Sequence, residues 1–199
     1  VSSHGISLNR VDSVDFNCAV FTNLTRDHLD FHESMEVYAS EKLKLFEALS
    51  VRDSAIVNSD DSYSDAIAQA TEAAVITYGL KGSPDVLADS INTTEEGMEF
   101  KIHTPWGKGS VSLSVIGKYN VYNTLAAATV GLINGFELSD VIENAEELSV
   151  LPGRMEGVDL VTEGILTLTK VTRLLKDYSP ATTPGKGPAD RILKLLKQS

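Results

Sequence analysis

The sequence is short of cysteine and of positive charge. Cys18 is the one cysteine in 199 residues, so neither an intramolecular disulfide nor a thiolate metal cluster can form. It sits in the apolar run FNCAVF, which reads as core and fits a reducing compartment. Lys and Arg number 17 against 28 Asp and Glu, a net charge of −11. That balance argues against a general nucleic-acid or membrane-surface binder, which needs a basic face. It leaves room for one anion in a local basic pocket. No apolar run approaches the roughly twenty residues that span a bilayer. The opening VSSHGISLNR lacks the basic-then-apolar order of a signal peptide, so a cytoplasmic protein is expected. Several catalytic signatures are also missing: the GxxxxGK(S/T) phosphate loop, GxSxG, HExxH and CxxC. PGKGP near the C-terminus is no substitute for the phosphate loop. Its second proline lacks a backbone donor, and no strand and helix frame it. The chain opens on Val1 and not on methionine, as expected of a piece of a longer protein.

What is present supports a core, since 42% of the residues are apolar. FNCAVFTN (16–23) reads as a buried parallel strand. Ser34 is placed to cap a helix running to about Leu49. SAIVN (54–58) reads as a strand, YSDAIAQAT as a helix and AAVITYG as a strand. Alternating strands and helices argue for a parallel sheet with covering helices. From about Ser83 to Ile116 the texture changes to alternating segments joined by Gly- and Pro-containing turns, which predicts antiparallel strands. NVYNTLAAATVGLINGF predicts a buried helix ending at Gly135, and LSDVIENAEEL a second helix capped by Ser139. The expected fold is α/β: a mainly parallel sheet with flanking helices plus a small antiparallel sheet. Residues 159–199 carry seven basic and four acidic side chains, a net of +3 against −14 for the rest. The organisation expected is therefore a domain over 1–158 and a basic tail over 159–199. In that tail DYSPATTPGKGP reads as a linker and ADRILKLLKQS as a short amphipathic helix.

The segment TNLTRDHLDFH places Arg26, Asp27, His28, Asp30 and His32 just after the first predicted strand. Carboxyl ends of parallel strands line the ligand crevice of open α/β sheets. A capped, solvated loop accounts for one aspartate there, but not for two histidines and an arginine together. Lys42 and Lys44 follow on one helix and face differently; by spacing alone both read as snorkelling surface lysines. VSSHG gathers hydroxyls, an imidazole and a glycine into one short loop, fit for a phosphate or carboxylate and equally for an ordinary polar turn. Asn120 and Asn123, three apart at a helix start, either cap that helix or read a purine edge through paired donors and acceptors. Arg154 in PGRME reads, taken alone, as an exposed arginine.

Taken together, VSSHGISLNRV, AVFTNLTRDHLDFHESMEVYASEKLKLF, AIVNSDD, GKYNVYNTLAAAT and LPGRME resemble, in order and spacing, the Mur ligase family over about residues 1–158. The nearest likeness is to the MurE type, the UDP-N-acetylmuramoyl-dipeptide amino-acid ligases; folylpolyglutamate synthetase is a more distant relative. The resemblance implies a partial central, ATP-binding domain with ATP and Mg²⁺ as cofactors and UDP-MurNAc-dipeptide and an amino acid as partners. It implies Lys42, carbamylated, and His28 as catalytic residues and holders of a magnesium ion. Ser2, Ser3, His4 and Arg10 would hold the muramoyl-peptide. Asn120, Asn123 and Arg154 would meet the nucleotide, Asn123 more directly than Asn120. Asp30 and His32 would belong to the site's architecture. The family's other domains and its phosphate loop are expected upstream and downstream, so this polypeptide alone is expected to be inactive. Lost strands would leave an unpaired sheet edge. A nucleotide- or muramoyl-peptide-binding remnant, another Mur or folylpolyglutamate-type ligase, and a tail helix docking on a partner or an anionic membrane are the alternatives.

Overall fold

The computed structural model describes residues 1–25, 34–94 and 97–147. The chain divides into two units, Val1–Thr77 and Tyr78–Ser199.

The first unit holds α1 (Ser3–Ser7), β1 (Cys18–Phe21), α2 (Met35–Glu47), β2 (Ser54–Asn58), α3 (Ser64–Ala70) and the start of β3 (Ala74–Gly79). β1 and β2 are parallel, in the register Cys18↔Ser54 to Phe21↔Val57. The Ser34 hydroxyl caps α2 as expected, accepting from the Val37 amide at 3.3 Å. The apolar residues of α2 meet those of the two strands. Phe21 and Phe46 pack edge to face with centroids 6.4 Å apart, inside a cluster that includes Leu24, Tyr38, Leu49, Val57 and Ile67.

The second unit holds the end of β3, then β4 (Val86–Thr93), β5 (Met98–Thr104), β6 (Gly107–Leu113), α4 (Lys118–Ile133) and α5 (Leu138–Glu146). β3 pairs parallel with β4 at Tyr78↔Val86 and Gly79↔Leu87. β4–β5 and β5–β6 are antiparallel, with a register irregularity between Asp89 and Asn92, where Ser90 takes φ 53°. Along β5, Met98, Phe100 and Ile102 are buried while Glu99 and Lys101 are exposed, the period of a strand with one covered face. α4 supplies buried Val121, Leu125, Ala126, Ala128 and Leu132. Gly135 follows its last turn at φ +87°, a conformation glycine adopts without steric cost.

Strand neighbours follow chain order, β1-β2-β3-β4-β5-β6. The α/β class is as expected. The antiparallel strands do not form a sheet of their own, because β4 lies parallel to β3 before the chain turns back. Two local expectations are corrected. VSSHG is not a loop: Ser2 caps a short helix, its Oγ accepting from the Gly5 amide at 3.1 Å. Ser139 does not cap α5: the cap position is Glu137, with no side-chain cap, and Ser139 lies in the first turn, its hydroxyl turned to Asp140 Oδ1 at 3.4 Å. The expected boundary near residue 158, the tail, its linker and its short helix lie outside the described residues.

Burial, then the charge of Asp53, pushes the Cys18 thiol up from 9.0 to about 12. A folded pKa above the unfolded one contributes stability that is complete below the unfolded value and is lost as pH rises through the folded one. Denaturant midpoints should therefore fall between pH 9 and 11 in the native chain, and less steeply in Cys18→Ala; parallel slopes would refute the assignment. Gly97 has φ +150°, and a Cβ there would lie 1.7 Å from the Leu113 carbonyl oxygen. Gly82, at φ +69°, has open space around it. Urea unfolding should show Gly97→Ala costing about 3 kcal/mol or more and Gly82→Ala about 1 kcal/mol.

Candidate functional site

The carboxyl ends of β1 and β2 are fixed by polar side chains of the NSDD loop. Asn58, 6% exposed, donates through Nδ2 to the Thr22 carbonyl at 2.7 Å. Its Oδ1 accepts from the Asp60 amide at 3.1 Å. Asp61 accepts from the Leu24 amide at 3.0 Å and from the Tyr63 amide at 2.9 Å. This clasp sets the direction in which the chain leaves β1 for the histidine–aspartate segment. Arg26, Asp27, His28, Asp30 and His32, and likewise Arg154, lie outside the described residues.

α2 begins just beyond that segment and separates the two lysines. Lys42 is half-buried, its Nζ 5.3 Å from the centroid of the Tyr38 ring one turn earlier. Lys44 is exposed and binds both oxygens of Glu41, at 2.7 and 2.8 Å. Glu41 also accepts from the Ser7 hydroxyl at 2.9 Å, joining α2 to α1. Burial, then the positive charge of Lys42, holds the Val1 amino group below its ordinary value of 8.0. The fold thus brings the VSSHG segment and Lys42 into one neighbourhood. Ser3 is buried at 1% exposure. His4 is half-buried, and Arg10 is exposed in the turn after α1, its amide bonded to the Gly5 carbonyl at 2.9 Å. Ser2 is exposed but its hydroxyl serves the helix cap.

Asn120 and Asn123 belong to the second unit, at the start of α4. The cap is Gly117, at φ +113°, where a Cβ would come 2.4 Å from the Tyr119 ring. Asn120 is 2% exposed and its Nδ2 donates back to the Ile116 carbonyl at 2.9 Å. Its buried Oδ1 has no hydrogen-bond partner among the described residues. Asn123, three residues on, is half-buried. The two amides therefore differ: one ties the helix to the preceding loop, the other stands nearer the surface.

Sequence reasoning missed Asn58, Asp61 and Glu41. The Tyr38–Lys42 spacing of four lies within the motif that carries the resemblance. The Asn58–Thr22 bond spans 36 residues and leaves no local signal. Among the described residues no group of three or more His, Cys, Asp or Glu could hold a metal ion, and no helix is long and apolar enough to cross a membrane.

Comparison with known proteins gives the following. Residues 1–131 match the model of the Mur ligase middle domain. The UDP-N-acetylmuramoyl-L-alanyl-D-glutamate–2,6-diaminopimelate ligase of Bacillus cereus is 42% identical over 165 residues, covering 80% of this chain and 34% of that protein. The corresponding L-lysine ligase of Staphylococcus epidermidis is 39% identical over 190 residues, covering 90% of this chain and 38% of that protein. A solved UDP-N-acetylmuramoyl-L-alanyl-D-glutamate–2,6-diaminopimelate ligase superposes with a TM-score of 0.71 at 26% identity, covering 91% of this chain and 40% of its own. The chain spans about a third of the length of the curated relatives it matches.

The two asparagines should separate in stability. Asn120→Ala removes a bond from a buried amide and should cost about 1–2 kcal/mol in thermal or urea unfolding. Asn123→Ala, at a half-buried position, should cost less than Asn120→Ala. Equal losses would contradict the division of roles.

Proposed function

The chain belongs to the Mur ligase family, and on that premise we propose that it is part of the central domain of an ATP-dependent ligase of peptidoglycan-precursor synthesis. The reading is carried by its 42% and 39% identity to ligases named for 2,6-diaminopimelate and L-lysine. The amino acid added is accordingly diaminopimelate or lysine, and the acceptor UDP-MurNAc-L-Ala-D-Glu. The γ-phosphoryl group of ATP passes to a substrate carboxylate, giving an acyl phosphate and ADP. The amine of the incoming amino acid then attacks the acyl carbon, phosphate leaves, and an amide bond remains. The work is that of a cytoplasmic enzyme of cell-wall biogenesis.

Within this proposal Asn123 meets the adenine, with Asn120 setting the start of α4 behind it and Arg154 completing the nucleotide contacts. Ser2, Ser3, His4 and Arg10 serve the muramoyl-peptide. Ser3 does so through the placing of α1, since it is buried. Lys42, carbamylated, and His28 are the residues assigned to Mg²⁺. The described residues offer no cluster of hard oxygen ligands for that ion, and an ammonium is not a ligand. What supports a special role for Lys42 is its setting on Tyr38, half out of water, beside an exposed and ion-paired Lys44.

The 199 residues carry no phosphate loop. Without its electrostatic grip on the β- and γ-phosphates this polypeptide has no turnover, and what it retains is binding. Titration calorimetry of the isolated chain with Mg-ATP should show weak binding, reduced on the order of tenfold in Asn123→Ala. No heat in the native chain would remove the nucleotide reading. A phosphate-release assay with ATP, UDP-MurNAc-dipeptide and diaminopimelate or lysine should stay at background, and turnover above it would overturn the inactivity.

A further inference from the structure

We propose that Glu146 closes the outer edge of β6 against pairing with β6 of a second copy of this chain, a role separate from the ligase reading. Among the described residues β6 pairs with β5 and ends the strand order. In an antiparallel ladder, residues alternate between facing the partner strand and facing away. Ser112, opposite Glu99, faces away: its amide donates to Glu146 Oε1 at 3.0 Å. The same parity turns the amides of Lys108 and Ser110 to the outer edge. Such a row of donors is a template for another strand.

α5 is seated so that its carboxylate reaches that edge. Gly109 lacks a side chain where a Cβ would lie 2.3 Å from Ile142 Cδ1. Ile142 and Glu146, four apart, share one face of α5. The first packs over the bare glycine, and the second reaches past it to the Ser112 amide. A charged acceptor on a backbone donor is stronger than a neutral one, so it competes well with an incoming carbonyl.

The excluded occupant is a second β6 because the strand is self-complementary. Paired antiparallel about Ser110, Lys108 of one copy faces Ser112 of the other and Ser110 faces itself. No like charges meet, and each Lys108 approaches the end of the strand that Glu146 guards. The exposed side chains at Ser110 and Ser112 are small and do not prevent it.

Hydrogen exchange and sedimentation velocity on the 199-residue chain test this. In dilute Glu146→Ala the Ser112 amide should exchange on the order of tenfold faster than in the native chain. Glu146→Gln, which keeps an acceptor oxygen, should stay close to native. At higher concentration Glu146→Ala should sediment as a larger species than the native chain, with the amides of Lys108, Ser110 and Ser112 protected together. Adding Ser112→Pro removes the outward donor, a change edge strands tolerate, and should reverse that association. Native exchange at Ser112 in Glu146→Ala, or association that leaves the three amides unprotected, would overturn the proposal.

Discussion

Parallel strands cannot be joined by a tight turn, so each must end in a loop whose polar backbone finds partners elsewhere. Here the partners are Asn58 and Asp61. The buried amide of Asn58 takes the Thr22 carbonyl, and Asp61 takes the Leu24 amide. The chain between them makes an excursion that includes all of α2. Without the clasp, two backbone groups beside a buried strand end would lose their partners, at about 1–3 kcal/mol each. Hydrophobic packing of Phe21 on Phe46 holds α2 to the strands, but it is non-directional. The hydrogen bonds are what fix the end of β1 to the start of the NSDD loop.

α2 in turn determines what α1 can be. A helix of five residues has little stability of its own. α1 persists because Ser2 caps it and Ser7 bonds to Glu41. Glu41 is the hinge of the local electrostatics. It is well covered at 16% side-chain exposure, while its partner Lys44 stands out at 53%. An ion pair so placed adds little stability by itself. Its consequence is positional, since Glu41 is committed to Lys44 and Ser7. Lys42, turned about 100° around the helix from Glu41, lies over the Tyr38 ring. Two lysines two residues apart thus have different surroundings, an aromatic face for Lys42 and a carboxylate for Lys44.

These features bound what could be read without coordinates. SAIVN was legible as a strand to the residue, and Ser34 as a cap, because periodicity and capping are local. VSSHG was misread as a loop because one helical turn offers no periodicity to detect. Ser139 was misread as a cap because Glu137, in extended conformation, starts the helix two residues earlier. The alternation of β5 and β6 was plain, but alternation does not say which sheet a strand joins; the parallel β3–β4 pairing decides that. Of the candidate site, composition singled out His28 and its neighbours and the two asparagines. It treated Lys42 and Lys44 alike, and it was the resemblance that distinguished them. Asn58 and Asp61 were silent because their partners are 36 and 37 residues away.

Asn120 and Asn123, three apart on α4, sit in different surroundings. Three residues turn a helix by about 300°, which leaves the two side chains roughly 60° apart. Asn120 points inward and is 2% exposed, while Asn123 is half-buried. The inward amide spends its nitrogen on the Ile116 carbonyl, which the helix itself cannot satisfy. Glycine at 117 adds the conformation that lets the chain enter α4 with Tyr119 folded over it. Replacing the inward amide by an apolar side chain would leave that carbonyl without its donor, and replacing Gly117 would displace the Tyr119 ring. Asn123 is thus carried by a helix start that Asn120 and a glycine hold in place.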